Sequence, residues 1–222
     1  MSAETRVISV SDRGWLPAAR GVLRDGGLVA FPTDTVYGVG GSATEADVVE
    51  SIFLAKARPE DKSIPVLLAG WPEVEGVALP GQGVQHLAAA FWPGALTIVM
   101  ERDPRLPAAI GSAGTVGVRA PNNAVALALL RAAGPLATSS ANLSGDSNPT
   151  TAAEVLKSLG GRIELLIDGG QTPGGRPSTV VDCTGDVPRL LRPGPVTLQA
   201  ILAVWERAGP ASSGTQPGFT KR

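Results

Sequence analysis

The sequence predicts a single-domain α/β protein built on an open, mixed sheet flanked by helices. Three observations predict it. Short apolar runs rich in β-branched residues alternate with longer stretches of helical periodicity. The 222 residues, 43% of them hydrophobic, suffice for one buried core. The helical stretches fall at irregular intervals, so the strands they separate are expected to form a mixed rather than a wholly parallel sheet.

The elements follow in order. Leu16 to Leu23 reads as a helix that stops at Gly26-Gly27. Residues 28–31 are a buried strand, because a helix needs more length and does not tolerate Pro32. Thr33, Asp34 and Thr35 then emerge at the strand's carboxyl end, where open α/β sheets bind ligands. Gly38, Gly40 and Gly41 are expected to let backbone N–H groups approach an anion there. Thr44-x-x-Asp47 has the form of a capping box and starts a helix over 44–57, with Val48, Val49, Ile52, Phe53 and Leu54 on its apolar face. Pro59 breaks that helix, so Lys56 and Arg58 project from its end, and Lys62 follows just before a strand at 64–68. Cations near a helix C-terminus meet the macrodipole favourably. Three of them beside a hydroxyl-rich loop read better as an anion site.

A helix over 82–91 precedes strands at 95–100 and 116–119. Ala124 to Ala132 forms a helix rich in alanine and leucine, and Leu136 to Thr138 a short strand. Thr151-x-x-Glu154 caps a helix ending at Gly160-Gly161. Strands at 163–167, 178–183 and 189–192 close the core, and a last helix covers 197–207. One domain over 7–207 and a disordered tail over 208–222, ending PASSGTQPGFTKR, complete the outline. No repeat and no room for a second domain are seen.

Composition excludes several classes. Nineteen basic against twenty acidic side chains offer no global attraction to a polyanion, and four Trp, four Phe and one Tyr give few platforms for bases. No apolar run approaches the ~20 residues of a membrane span, and no signal pattern opens the chain, which places the protein in the cytoplasm. Cys183 is the single cysteine and His86 the single histidine. That leaves no intramolecular disulfide, no Cys/His metal cluster and no triad. His86, on an otherwise apolar helix, reads as a packing or surface residue, and Cys183 as a buried hydrophobe. Ser139, Ser140 and Ser144 lie outside a G-x-S-x-G elbow. Catalysis by positioning and charge stabilisation is what remains.

PTDTVYGVG followed by KARPEDK resembles the signature of the YrdC-like family of L-threonylcarbamoyladenylate synthases. The likeness continues in order through WPGALTIVM (92–100), TVGVRAP (115–121), SSANLSG (139–145), IDGGQTPGGRPSTVVD (167–182) and LLRPGP (190–195). It implies a twisted open sheet with a large central cavity. It also implies that L-threonine, bicarbonate and ATP yield L-threonylcarbamoyladenylate and pyrophosphate, with Mg²⁺ accompanying the ATP. The product would pass to a threonylcarbamoyl transferase complex that modifies tRNA, without a requirement for direct tRNA contact.

Roles carry over by position. Lys56 and Arg58 match the family's Lys-x-Arg pair near the phosphates and would be catalytic. Thr33, Lys62, Arg119, Thr138 and Ser178 match positions on the threonine and bicarbonate side. Thr115, Ser140, Asn142, Asn148 and Arg192, together with Lys56 and Arg58, match the ATP side. No metal site is assigned to the protein. Asp34 could orient Lys56 or bind a hydrated cation. Some relatives carry a histidine in the strand after the Lys-x-Arg loop, where SIPVLLAG has none. Two other readings stay open: an RNA-binding protein, and a module that transfers carbamoyl from carbamoyl adenylate.

Overall fold

The computed structural model describes residues 4–59, 62–174 and 176–208. The proposed tail lies, from residue 209 onward, outside the described residues. Strands β1 (Arg6–Ser9), β2 (Val29–Pro32), β3 (Tyr37–Ser42), β4 (Val66–Leu67), β5 (Ala78–Leu79), β6 (Leu96–Arg102), β7 (Thr115–Arg119), β8 (Leu136–Ser140), β9 (Leu165–Asp168), β10 (Thr179–Asp182) and β11 (Arg189–Arg192) form one sheet. Helices α1 (Trp15–Arg24), α2 (Ala46–Lys56), α3 (Val84–Phe91), α4 (Ala124–Ala133), α5 (Ala152–Leu159) and α6 (Leu198–Ala208) flank it. The strand order is β1-β9-β2-β3-β8-β4-β7-β6-β10-β11, with β5 pairing beside β6. β9 runs parallel to β1 and β2, β4 to β7, and β6 to β10, while the remaining pairs are antiparallel. The sheet is mixed, as the irregular helix spacing predicts.

Period-two alternation sorts strand residues onto two faces. One face meets α2, α3, α5 and α6: Ala30, Val39, Val66, Ile98, Val118, Leu166 and Val181 join Val49, Leu87, Leu159 and Ile201 in one core. The other face carries Val29, Phe31, Leu67, Leu136, Leu165 and Ile167, which pack on Ala19 and Leu23 of α1 and Leu129 and Leu130 of α4. These two helices cover only the part of that face near β9 and β2. Farther across, at β8, β7, β6 and β10, the same face turns polar and is left open.

Several local expectations need correction. The loop read at 33–41 is only half loop, because Tyr37–Ser42 is the buried strand β3 between β2 and β8. Gly40 and Gly41 serve close packing, while Gly38 lines the cavity described below. A Cβ on Gly40 would sit 2.5 Å from the Ala137 carbonyl oxygen, and one on Gly41 would sit 2.3 Å from Cγ1 of Val48. Thr44 caps nothing: α2 starts after Glu45, and the Thr44 hydroxyl bonds that of Ser42 at 3.1 Å. Asp47 is a methylene shorter than the glutamate of a capping box, so its reach back is poorer. Thr151-x-x-Glu154 does form the box, in both directions. β1, β5 and a 3-10 turn at Trp71–Val74 are additional to the sequence reading.

Candidate active site

The open polar face is the floor of a cavity of about 400 Å³, within the ~300–1,000 Å³ usual for small-molecule sites. Alternation places its groups. β7 points Val116 and Val118 into the core and presents Thr115, Gly117 and Arg119 to the cavity. β6 likewise presents Thr97 and Val99, β8 presents Thr138 and Ser140, and β11 ends the wall with Arg192. At Gly117 a Cβ would come within 3.1 Å of Cγ2 of Thr97, so the bare backbone keeps the floor open.

Three arginines, Arg58, Arg119 and Arg192, line this space, and among the described residues no carboxylate does. Arg119 is 6% exposed and held on three sides. Its Nε donates to the Gly94 carbonyl at 2.9 Å, Nη1 donates to Oγ1 of Thr35 at 3.2 Å, and Nη2 donates to Oδ1 of Asp34. Burial pulls the Arg119 pKa below the ordinary guanidinium value; the Asp34 charge opposes this and nearby Arg192 adds to it. Arg192 donates from Nε and Nη2 to the Ser178 carbonyl at 3.1 and 2.9 Å, and from Nη2 to the Ser178 hydroxyl at 3.2 Å. That hydroxyl also bonds Thr97 at 2.7 Å. Ser178 and Arg192, matched to different substrates, are therefore direct neighbours.

The turn after β2 is locked by its own hydroxyls. Oγ1 of Thr33 donates to the Val36 carbonyl at 2.7 Å and accepts from the Thr35 N–H at 3.1 Å, so its lining of the cavity comes with a proton already engaged. The Tyr37 hydroxyl donates to the Gly170 carbonyl at 2.7 Å and accepts from the Gly169 N–H at 3.1 Å. It thereby anchors the loop that leads to Ser178.

Nine of the twelve predicted site residues line the cavity: Thr33, Arg58, Thr115, Arg119, Thr138, Ser140, Asn148, Ser178 and Arg192. Lys56, Lys62 and Asn142 do not. Lys56 is 1% exposed and turns inward, its Nζ donating to the Ser140 and Asn142 carbonyls. Burial, reinforced by Arg58, pushes it down to about 8. The sequence reading missed that the helix end curls into left-handed φ at Ala57, at +48°, which separates the directions of Lys56 and Arg58. Arg58 instead donates Nη2 to the Ser63 carbonyl at 2.7 Å at the cavity wall. Lys62 is exposed. Asn142 is buried, donating Nδ2 to the Leu143 and Asp146 carbonyls, while its Oδ1 has no partner. Asp34 binds Arg119 and not Lys56. Thr35, Tyr37, Ser63, Thr97 and Ser112 also line the site. Thr97 was legible as the polar residue alternating with apolar neighbours in LTIVM. His86 is exposed, and burial with the Asp182 charge pushes buried Cys183 up to about 12, so neither is placed for acid–base work. Among the described residues no group of three or more His, Cys, Asp or Glu gathers to hold a metal, and no helix is long and apolar enough to cross a membrane.

Comparison with known proteins places this geometry. The family model for Sua5, YciO and YrdC proteins, described as telomere recombination, matches residues 21–194. A Mycobacterium tuberculosis chain is 42% identical over 190 residues, covering 84% of this chain and 87% of its own length. The threonylcarbamoyl-AMP synthase of Bacillus subtilis is 43% identical over 190 residues, covering 84% of this chain and 55% of that protein. The structure of Pyrococcus abyssi Sua5 complexed with L-threonine superposes with a TM-score of 0.86 at 41% identity, over 90% of this chain and 61% of that one. The chain thus spans a little over half the length of these last two relatives. With more than half of its residues inside the family model and relatives above 40% identity along most of its length, the chain belongs to the Sua5/YciO/YrdC family.

Proposed function

We propose that this protein is an L-threonylcarbamoyladenylate synthase, a nucleotidyltransferase that joins L-threonine, bicarbonate and ATP and releases pyrophosphate. The observation that carries the reading is the cavity's lining: three arginines, many hydroxyls and, among the described residues, no carboxylate. Such a lining suits two anionic substrates and little else. Relatives named threonylcarbamoyl-AMP synthase and a neighbouring structure holding L-threonine support the same chemistry. The RNA-binding and carbamoyl-transfer readings have no comparable support.

The chemistry asks for positioning rather than for a strong base. The neutral threonine amine and bicarbonate form a C–N bond with loss of water, giving an N-carboxylated amine whose carboxylate oxygen attacks the α-phosphorus of ATP. The bond to pyrophosphate breaks and its electrons leave with that group. An anionic nucleophile and a good leaving group need cations that screen charge as it develops. In this reading Arg119 takes the threonine carboxylate through its planar fork, with Thr33, Thr35 and Thr138 beside it. Arg58, Thr115, Ser140, Asn148 and Arg192 serve the nucleotide. Lys56 and Asn142 act by shaping the Ser140–Asn142 segment. Mg²⁺ enters with ATP as part of that substrate, held by phosphate and water. The cytoplasm supplies all three substrates, and a tRNA-modifying transferase takes the product.

The test is pyrophosphate release with each component left out in turn. Release is expected only when ATP, bicarbonate and threonine are all present. Equal turnover without bicarbonate, or release of inorganic phosphate instead, would sink the assignment.

A further inference from the structure

We propose that Asp34 is a specificity-determining residue. It holds the Arg119 fork and cancels its charge, so that this end of the cavity accepts one zwitterionic amino acid and rejects a polyphosphate. The inference rests on the synthase reading and adds to it the basis for keeping the zwitterionic amino acid and the polyphosphate apart.

Several arginines around one cavity create a conflict. A cavity with several arginines attracts the substrate of highest negative charge to every one of them, and ATP outweighs an amino acid of net charge zero. Arg119 and Arg192 lie near enough for each to affect the other, so electrostatics alone would let a triphosphate bridge them. Their surroundings differ in one respect. Arg192 donates only to neutral oxygens of Ser178 and keeps its full positive charge. Arg119 is ion-paired with Asp34, the two side chains being 7% and 13% exposed, so water screens the pair little.

Asp34 itself does not line the cavity, while Arg119 does. The carboxylate therefore acts through the guanidinium and not by touching a ligand. Three of the five N–H groups of Arg119 are engaged by Gly94, Thr35 and Asp34. Two remain for a ligand, which matches a single carboxylate bound in two-pronged fashion. An arriving carboxylate with its own ammonium adds no net charge beside Asp34. A polyphosphate there brings several negative charges against a buried carboxylate, and like-charge juxtaposition is strongly unfavourable.

The test uses Asp34→Asn, whose amide oxygen can still accept from Nη2 while the charge is gone. Tripolyphosphate is the probe, competing with L-threonine in calorimetric titrations of the full chain. In the wild type, tripolyphosphate is expected to leave threonine binding nearly unchanged. In Asp34→Asn it should compete directly with threonine, its inhibition constant against threonine falling at least tenfold, and the gain should shrink as salt is raised. A gain of anion binding is not something that loosened packing produces. If Asp34→Asn shows no new competition while still binding threonine, the inference is overturned. A second variant, Asp34→Ser, removes the charge with a smaller side chain and must show the same gain if charge is the cause. If the wild type itself fails to bind threonine, the synthase reading fails first.

Discussion

Lys56 shows how far a side chain's role depends on which way it turns. As the last residue of α2 beside Arg58, it reads in the sequence as a phosphate ligand. In the fold it is buried, and its Nζ ties together the carbonyls of Ser140 and Asn142. Ser140 borders the cavity, so the lysine shapes the wall from behind. Its burial has a consequence for stability against pH. Desolvation lowers its pKa to about 8 in the folded protein, against ~10.4 for an unfolded chain. Below about 8 both states carry the charge and the folded state bears the whole cost of burying it. Between about 8 and 10.4 the folded form loses the proton while the unfolded chain keeps it, so stability rises with pH through this window. The wild type should gain on Lys56→Met by up to about 3 kcal/mol across that range. Urea unfolding of both proteins at pH 7.5 and 10 measures it, and a constant difference between them would overturn the burial argument.

At the scale of elements, local signals predict local structure and fail where tertiary contact decides. Helices with periodic apolar faces, and strands bounded by turn residues, stand close to where the sequence puts them. The second capping motif forms because Glu154 is long enough to bond back to the Thr151 N–H, at 3.1 Å. β3 was not legible as a strand, because YGVGGS has the composition of a turn. Its glycines reflect neighbours far away in the chain: at Gly40 a Cβ would lie 2.5 Å from the Ala137 carbonyl oxygen and 2.7 Å from Oγ1 of Thr138. Backbone on one side and a buried strand on the other leave little room to move. Gly40→Ala should therefore cost roughly 1–3 kcal/mol, as overpacking does. Gly21 is the contrast, since it sits inside α1 with nothing within 4 Å of a new Cβ. There Gly21→Ala should stabilise by about 0.5–1 kcal/mol through helix propensity alone. Denaturant midpoints for the two variants give opposite shifts if close strand packing is what Gly40 serves. A neutral Gly40→Ala would show that β3 can be moved away from β8.

For the whole molecule, function follows from a sheet wider than the helices that cover one of its faces. α1 and α4 close the face near β9 and β2, and the uncovered remainder becomes a hydroxyl-lined floor with arginines at β7 and β11. Most of that lining was legible, because ordered motifs and alternating polar residues mark strand faces. The ion pair of Asp34 with Arg119 was not, because it joins residues 85 apart in sequence. β7 and β11 are separated by β6 and β10, so the two strands stand about 14 Å apart along the sheet, three strand intervals. Their arginine side chains converge on one cavity and affect each other, but they reach it from separate strands and should govern different substrates. Truncating Arg119 to alanine would strand Asp34 as a buried unpaired charge, at a cost of about 3–5 kcal/mol, and would confuse binding with folding. Arg119→Lys keeps the charge beside Asp34 and removes only the planar fork. It should raise the KM for threonine by roughly 10- to 100-fold, equivalent to about 1.4–2.7 kcal/mol, and leave the KM for ATP within about threefold. Arg192 donates only to neutral oxygens of Ser178, a residue that lines the cavity, so Arg192→Ala strands no buried charge, should fold normally and should raise the KM for ATP instead. Steady-state pyrophosphate release with each substrate varied in turn, alongside thermal melts, separates the two effects. If both variants raise the same KM, the two walls serve one substrate and the division of the cavity drawn from this sheet is wrong.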